Sequence, residues 1–327
     1  MFTLRQIVKS TANSLNQGFY FQRCQAHVGW IGLGFMGTPM ATHLINKGNS
    51  LVVYDVNSSA VESFKAKGAI VASSPAEVAE KCDRVFTMVP ADPYVIEVFS
   101  GSNGLLTKAS KGTILMDCST VHPNTSKKLL ELSNAAGVDF LDTPVAGAVP
   151  AANAGTLTFM CGGKADVVKK IESLLLCMGR RVIHCGDVGA GSAAKICNNM
   201  MLAISMIGTS ETLNLAQGLG LDPKQMTEIL NISSGRTWCS DTYNPVPGIM
   251  ENVPASRDYK PGFKVELIAK DLGISQSCAS LTDAPTPMGA LALSIYKAMT
   301  NNGHGEKDFS YAYQFLLKKV TGGVRKS

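Results

Sequence analysis

Val28-Gly29-Trp30-Ile31-Gly32-Leu33-Gly34-Phe35-Met36-Gly37 runs from a short apolar stretch into three glycines spaced GxGxxG. Thr38–Asn46 follows with helical spacing and closes at Gly48, and Leu51–Asp55 is a second apolar run ending in a carboxylate. This order of strand, tight glycine turn, helix, strand and acid is the dinucleotide-binding pattern. The first glycine permits the turn, the second lets a diphosphate approach the backbone, and the helix start presents free N–H groups to it. The spacing therefore marks Gly32, Leu33, Gly34, Phe35, Met36 and Gly37 as cofactor-binding. Asp55 is placed to accept hydrogen bonds from the adenosine ribose and to repel a 2′-phosphate. Val56, Asn57 and Ser58 follow it with no arginine, so the expected cofactor is NAD rather than NADP.

Outward from this segment the same grammar repeats. Arg84–Val89, Thr113–Asp117, Asp139–Leu141, Leu157–Cys161 and Arg181–Cys185 read as further strands with helical segments between most of them. Short apolar strands alternating with helices predict an α/β fold with a Rossmann-type, doubly wound parallel sheet. Near Gly186 the pattern changes. Ser192 to about Leu219 has no proline and is apolar on nearly all sides, which predicts a buried, long central helix. Pro223–Leu230, Phe263–Leu281, Gly289–Asn301 and Asp308–Lys318 read as helices with no strand between them. The expected organisation is a cofactor domain over 27–189 and an all-helical domain over 190–327.

Residues 1–26 differ from the rest. Arg5, Lys9 and Arg23 lie among hydroxyl, amide and apolar residues, and no acid occurs before Asp55. A basic, hydroxyl-rich, acid-free and amphipathic leader predicts mitochondrial import, and the matrix is the expected compartment. No apolar run reaches the roughly 18 residues of a membrane span. The formal charge of +5 is mild for 327 residues, and without basic runs it does not indicate nucleic-acid binding. Nine cysteines are scattered without CxxC or His-paired spacing, so neither a disulfide framework nor a metal site is expected.

Lys195 and Asn199 stand four apart in the apolar stretch, so a helix would place them on one face near its start. A helix N-terminus favours a carboxylate substrate, and with burial it would lower the lysine pKa towards the working range of a proton-transfer group. Asn199 would then hold either the substrate hydroxyl or the lysine. This makes Lys195 and Asn199 the expected catalytic pair, with no metal required.

Two segments resemble a known family. Ile31-Gly-Leu-Gly-Phe-Met-Gly-Thr-Pro-Met-Ala41 is similar to the amino-terminal signature of the β-hydroxyacid dehydrogenases. Gly186-Asp-Val-Gly-Ala-Gly-Ser-Ala-Ala-Lys195-Ile-Cys-Asn-Asn199 is similar to their catalytic signature. Ser233-Ser-Gly-Arg-Thr-Trp238, Asp241-Thr-Tyr-Asn-Pro-Val-Pro-Gly248 and Ala269-Lys-Asp-Leu-Gly273 resemble one subgroup, which acts on 3-hydroxyisobutyrate, and the likeness runs from about Val28 to Lys318. The resemblance implies oxidation of that acid to methylmalonate semialdehyde in valine breakdown. It adds Val89, Pro90, Tyr94, Thr120 and Lys270 at the cofactor, and Trp238 and Phe263 as walls of the substrate pocket. Where the family has a serine and a last glycine in its carboxylate-binding DxPVSGG segment, this chain has Ala146 and Ala148 around Gly147. The missing hydroxyl would contribute about 1.5–3 kcal/mol towards a carboxylate. Reductases of tartronate, glyoxylate or succinate semialdehyde, and a homologue that binds NAD without turnover, are the alternatives. The Met-rich apolar helical half predicts a homodimer or homotetramer.

Overall fold

The computed structural model describes residues 27–317, so the expected leader over 1–26 lies outside the described residues. The described residues form a nine-stranded sheet: β1 (His27–Ile31), β2 (Leu51–Tyr54), β3 (Ile70–Val71), β4 (Cys82–Thr87), β5 (Ile114–Asp117), β6 (Asp139–Asp142), β7 (Val145–Ala146), β8 (Leu157–Gly162) and β9 (Gly179–Gly186). The order is β3-β2-β1-β4-β5-β6-β8-β7, with β9 pairing β8. From β3 to β6 every pair is parallel, with Val28 opposite Leu51 on one side and Arg84 on the other. Beyond β6 the sheet departs from the all-parallel expectation, because β8 runs antiparallel to β6 and β7. The chain turns back there through Gly147 and Gly155, both at positive φ. β3 and β7 were not anticipated, since two residues are too few to show a period.

Alternate residues of each strand enter two separate cores, as expected for a sheet covered on both faces. On one face Trp30, Val53, Phe86 and Met116 pack with Met40, Leu44, Ile171 and Leu175 from two helices. Ile31, Val52, Val85 and Leu115 face the other way, towards Val78, Val95, Phe99 and Leu129. Fully buried Trp30 stacks on Phe86 at 5.5 Å, and its indole nitrogen donates to Gly32 O, which ties the core to the glycine turn.

The central helix spans Ala190–Gly218 and touches β6, β8 and β9 as well as the helices Pro223–Ile232, Trp238–Asp241, Val265–Leu281, Pro287–Met299 and Ala312–Leu316. It is not buried all round, as its composition suggested. Ile196, Ala203, Met206, Ile207 and Leu213 form the buried stripe, whereas Met201 and Leu215 are exposed. The four-residue Trp238–Asp241 helix was missed, although Thr237 and Ser240 form a reciprocal capping box around it. The expected Asp308–Lys318 helix is a 3₁₀ turn, Phe309–Tyr311, followed by Ala312–Leu316. Lys264 is extended, so the helix expected from Phe263 starts at Val265. None of the described helices is long and apolar enough to cross a membrane.

Candidate active site

A cleft of about 1310 Å³ opens between the carboxyl ends of β1, β2 and β4 and the face of the central helix. Its floor begins at the glycine turn. A Cβ on Gly32 would fall on the carbonyl oxygen of Met88, and one on Gly37 on that of Gly32. These two glycines are therefore required by close packing. A Cβ on Gly34 would meet nothing within 4 Å, which leaves its backbone open to the cleft and accessible to a diphosphate. The glycine turn thus fits a dinucleotide on its geometry.

Asp55 fixes the next part of the wall. Its carboxylate accepts from Leu33 N at 2.5 Å and from Asn57 N at 2.7 Å, so it braces the turn and still lines the cleft. Leu33 behaves differently from the other expected cofactor residues. Its side chain is buried, it does not line the cleft, and its N–H is engaged by Asp55. Gly32, Gly34, Phe35, Met36, Gly37, Asp55, Val89, Pro90, Tyr94, Thr120 and Lys270 all line it. Val89 N donates to Ser119 Oγ, and buried Asp117 accepts from Thr87 Oγ1 and Ser119 N behind that edge. Burial pushes the Asp117 carboxyl up to about 6, against the pull of those hydrogen bonds.

The opposite wall is the central helix. Lys195, Asn198, Asn199, Leu202 and Ser205 line the cleft at helical spacing. Lys195 Nζ lies 3.0 Å from Asn199 Oδ1, while Asn199 Nδ2 donates to buried Asp271 at 2.6 Å. The asparagine thus faces the lysine with its oxygen because its amide nitrogen is claimed by a carboxylate. Burial pulls Lys195 down to about 8; Asp271 works in the opposite direction and Lys270 adds to the lowering.

The start of this helix, where the sequence suggested a carboxylate substrate, already holds a carboxylate of the chain itself. Asp142 occupies it, accepting from Gly189 N at 2.8 Å and Ser192 N at 2.7 Å. Lys270 crosses the cleft and donates to the carbonyls of Pro90 and Thr120 at 2.9 and 2.8 Å, with Asp271 3.2 Å away. It therefore joins the helical half to the ends of β4 and β5.

Ala146, Gly147 and Ala148 also line the cleft. Ala148 sits at φ 54°, where an L-residue is strained and a glycine is not. Trp238 is 42% exposed to the cleft and stacks on Tyr243 at 4.9 Å, so it is a wall that rests on the core. Phe263 lines the cleft and packs edge-on against Phe309. His122 does not line it. Its Nδ1 caps the Pro123–Ala135 helix and its Nε2 lies 3.3 Å from Cys278 Sγ. Asp271, Asn198, Lys264 and Arg236 are cleft residues that the sequence reading did not single out. The i, i+3, i+4 spacing from Lys195 signals Asn198, and Asp271 stands next to Lys270. Arg236 lies within the Ser233–Trp238 motif, from which no role was read for it, and Lys264 carries no such local signal.

A parallel sheet with a glycine turn, and a lysine of lowered pKa facing it, define an NAD-dependent dehydrogenase. Comparisons with known proteins agree. Residues 27–186 match the NAD binding domain of 6-phosphogluconate dehydrogenase, and 189–316 match the NAD-binding domain of NADP-dependent 3-hydroxyisobutyrate dehydrogenase. The mitochondrial 3-hydroxyisobutyrate dehydrogenase of Mus musculus is 53% identical over 89% of this chain and 87% of its own. The NAD-dependent L-serine dehydrogenase of Pseudomonas aeruginosa is 44% identical over 86% of this chain and 95% of its own. Among solved structures, the Mycobacterium tuberculosis 3-hydroxyisobutyrate dehydrogenase with L-serine superposes with a TM-score of 0.83 at 34% identity, covering 89% of this chain and 99% of that one. The chain belongs to the 3-hydroxyisobutyrate dehydrogenase branch of the β-hydroxyacid dehydrogenase family. Its cofactor is NAD.

Proposed function

We propose that the protein oxidises 3-hydroxyisobutyrate to methylmalonate semialdehyde in valine breakdown, with Lys195 as the general base. The observation that carries this reading is Lys195 itself: lowered to about 8, held by Asn199 and facing the glycine turn across the cleft. NAD bound on that turn supplies the hydride acceptor. In its neutral form Lys195 Nζ takes the hydroxyl proton of the substrate, and it returns one in the reverse direction. Asn199 fixes where Nζ points, and Asp271 fixes Asn199. The substrate carboxylate is assigned to the Ala146–Gly147–Ala148 segment, where backbone N–H groups replace the absent serine hydroxyl. Residues 27–189 carry the glycine turn and the carboxylate segment, and 190–327 provide Lys195, Lys270 and the Trp238 and Phe263 walls.

L-serine is the second reading, because one relative is named for it and one similar structure contains it. It differs from 3-hydroxyisobutyrate in carrying an ammonium where the other has a methyl. The apolar faces of Trp238, Phe263 and Ala146 support the methyl. Steady-state kcat/KM for both acids with NAD and NADP tests the assignment. We expect 3-hydroxyisobutyrate with NAD to be favoured, and Ala146→Ser to lower KM more than it changes kcat. Faster turnover of L-serine, or equal use of NADP, would contradict it.

The mitochondrial matrix is the proposed compartment, on the composition of residues 1–26 and the mitochondrial naming of relatives. A reporter carrying residues 1–26 that stayed in the cytosol would oppose it. Leu215, Leu219 and Ile232 are more than 60% exposed on the helical half and support a homodimer or homotetramer. A monomer mass by light scattering would oppose that.

A further inference from the structure

We propose that Lys264, from the helical half, binds the diphosphate of the cofactor. Four cations among the described residues line the cleft. Lys270 is engaged by two carbonyls, Arg236 by Asp241, and Lys195 by Asn199. Lys264 is the one that meets the glycine turn: its Nζ stands 5.9 Å from the ring centre of Phe35. Phe35 is 69% exposed and follows Gly34, whose open backbone marks the diphosphate position.

The base of the lysine is fixed. Val265 N donates to Lys307 O, and Phe309 N donates to Phe263 O, so both neighbours of Lys264 are pinned. Its tip is held by Glu306 at 2.8 Å and Glu266 at 3.2 Å, and those carboxylates are 74% and 43% exposed. Ion pairs with exposed partners are weak and screened, whereas a diphosphate offers two negative charges in the cleft. The flexible four-carbon stem lets the ammonium swing from the acids to the turn. Glu306 then competes with the cofactor for the same cation.

This inference rests on the NAD assignment, and its test is a binding measurement on the full chain. ADP-ribose and NAD are titrated calorimetrically into the wild type, Lys264→Met and Glu306→Gln across a range of salt. Lys264→Met is expected to weaken ADP-ribose about tenfold at low salt, with a flatter salt dependence, since an ionic contact to phosphate is lost. Glu306→Gln is expected to tighten it. Unchanged ADP-ribose affinity in Lys264→Met, or a loss that persists undiminished at high salt, would overturn the proposal. If NAD failed to bind the wild type, the cofactor assignment itself would fall, which is a different result.

Discussion

Lys195 has opposite effects on chemistry and stability. Its ordinary pKa of 10.5 falls to about 8 in the folded protein, so the folded state binds its proton less tightly than the unfolded chain. Below pH 8 the penalty for burying the charged form is fully present, about 3 kcal/mol. It shrinks as pH rises from about 8 towards 10.5. Lys195→Met keeps the shape and removes the charge, and Asn199 Oδ1 retains Asn198 Nδ2 as a donor. We predict that the variant is inactive yet about 1–3 kcal/mol more stable at pH 7, with the gap closing towards pH 10. Denaturant melts at the two pH values measure this, and equal or lower stability at pH 7 would refute it. At this scale the sequence was informative: the KxxxN spacing and apolar neighbours marked both residues. It did not show that Asn199 serves the lysine, because the reason is Asp271, 72 residues away.

The central helix is the element on which the site depends, and Asp142 holds its beginning. Two backbone N–H groups without helical partners, Gly189 N and Ser192 N, both donate to this one carboxylate. Burial raises the Asp142 pKa while those two donors pull it down, so the pair of contacts is what makes the buried charge tolerable. Asp142→Asn keeps the volume but turns an amide NH₂ towards one of the donors. We predict a loss of about 2–4 kcal/mol in a denaturant melt and a fall in kcat, because Lys195 sits less than two turns further on. An unchanged midpoint would show that the helix start is held by something else. Element types were legible from periodicity, and the long helix ends within two residues of its expected limits. The antiparallel return at β8 and the short Trp238–Asp241 helix were not. Both are set by turn and cap geometry in segments too short to show a period.

Across the whole molecule, the glycine turn and Lys195 lie on opposite walls of one cleft, and Lys270 ties those walls through contacts 150 and 180 residues apart in the chain. Local sequence patterns mark each wall but carry no signal for such pairings, so Lys264 entered the site only through the fold. The division of labour makes cofactor binding and proton transfer separable. Lys195→Ala removes the base from one wall and leaves the glycine turn on the other untouched. The decisive measurement is a single experiment on wild type and Lys195→Ala: NAD affinity by titration, then NADH formation from 3-hydroxyisobutyrate in the same samples. The account predicts NAD affinity within about twofold of wild type and kcat lower by about 10²–10⁴. Turnover by Lys195→Ala at the wild-type rate would contradict it.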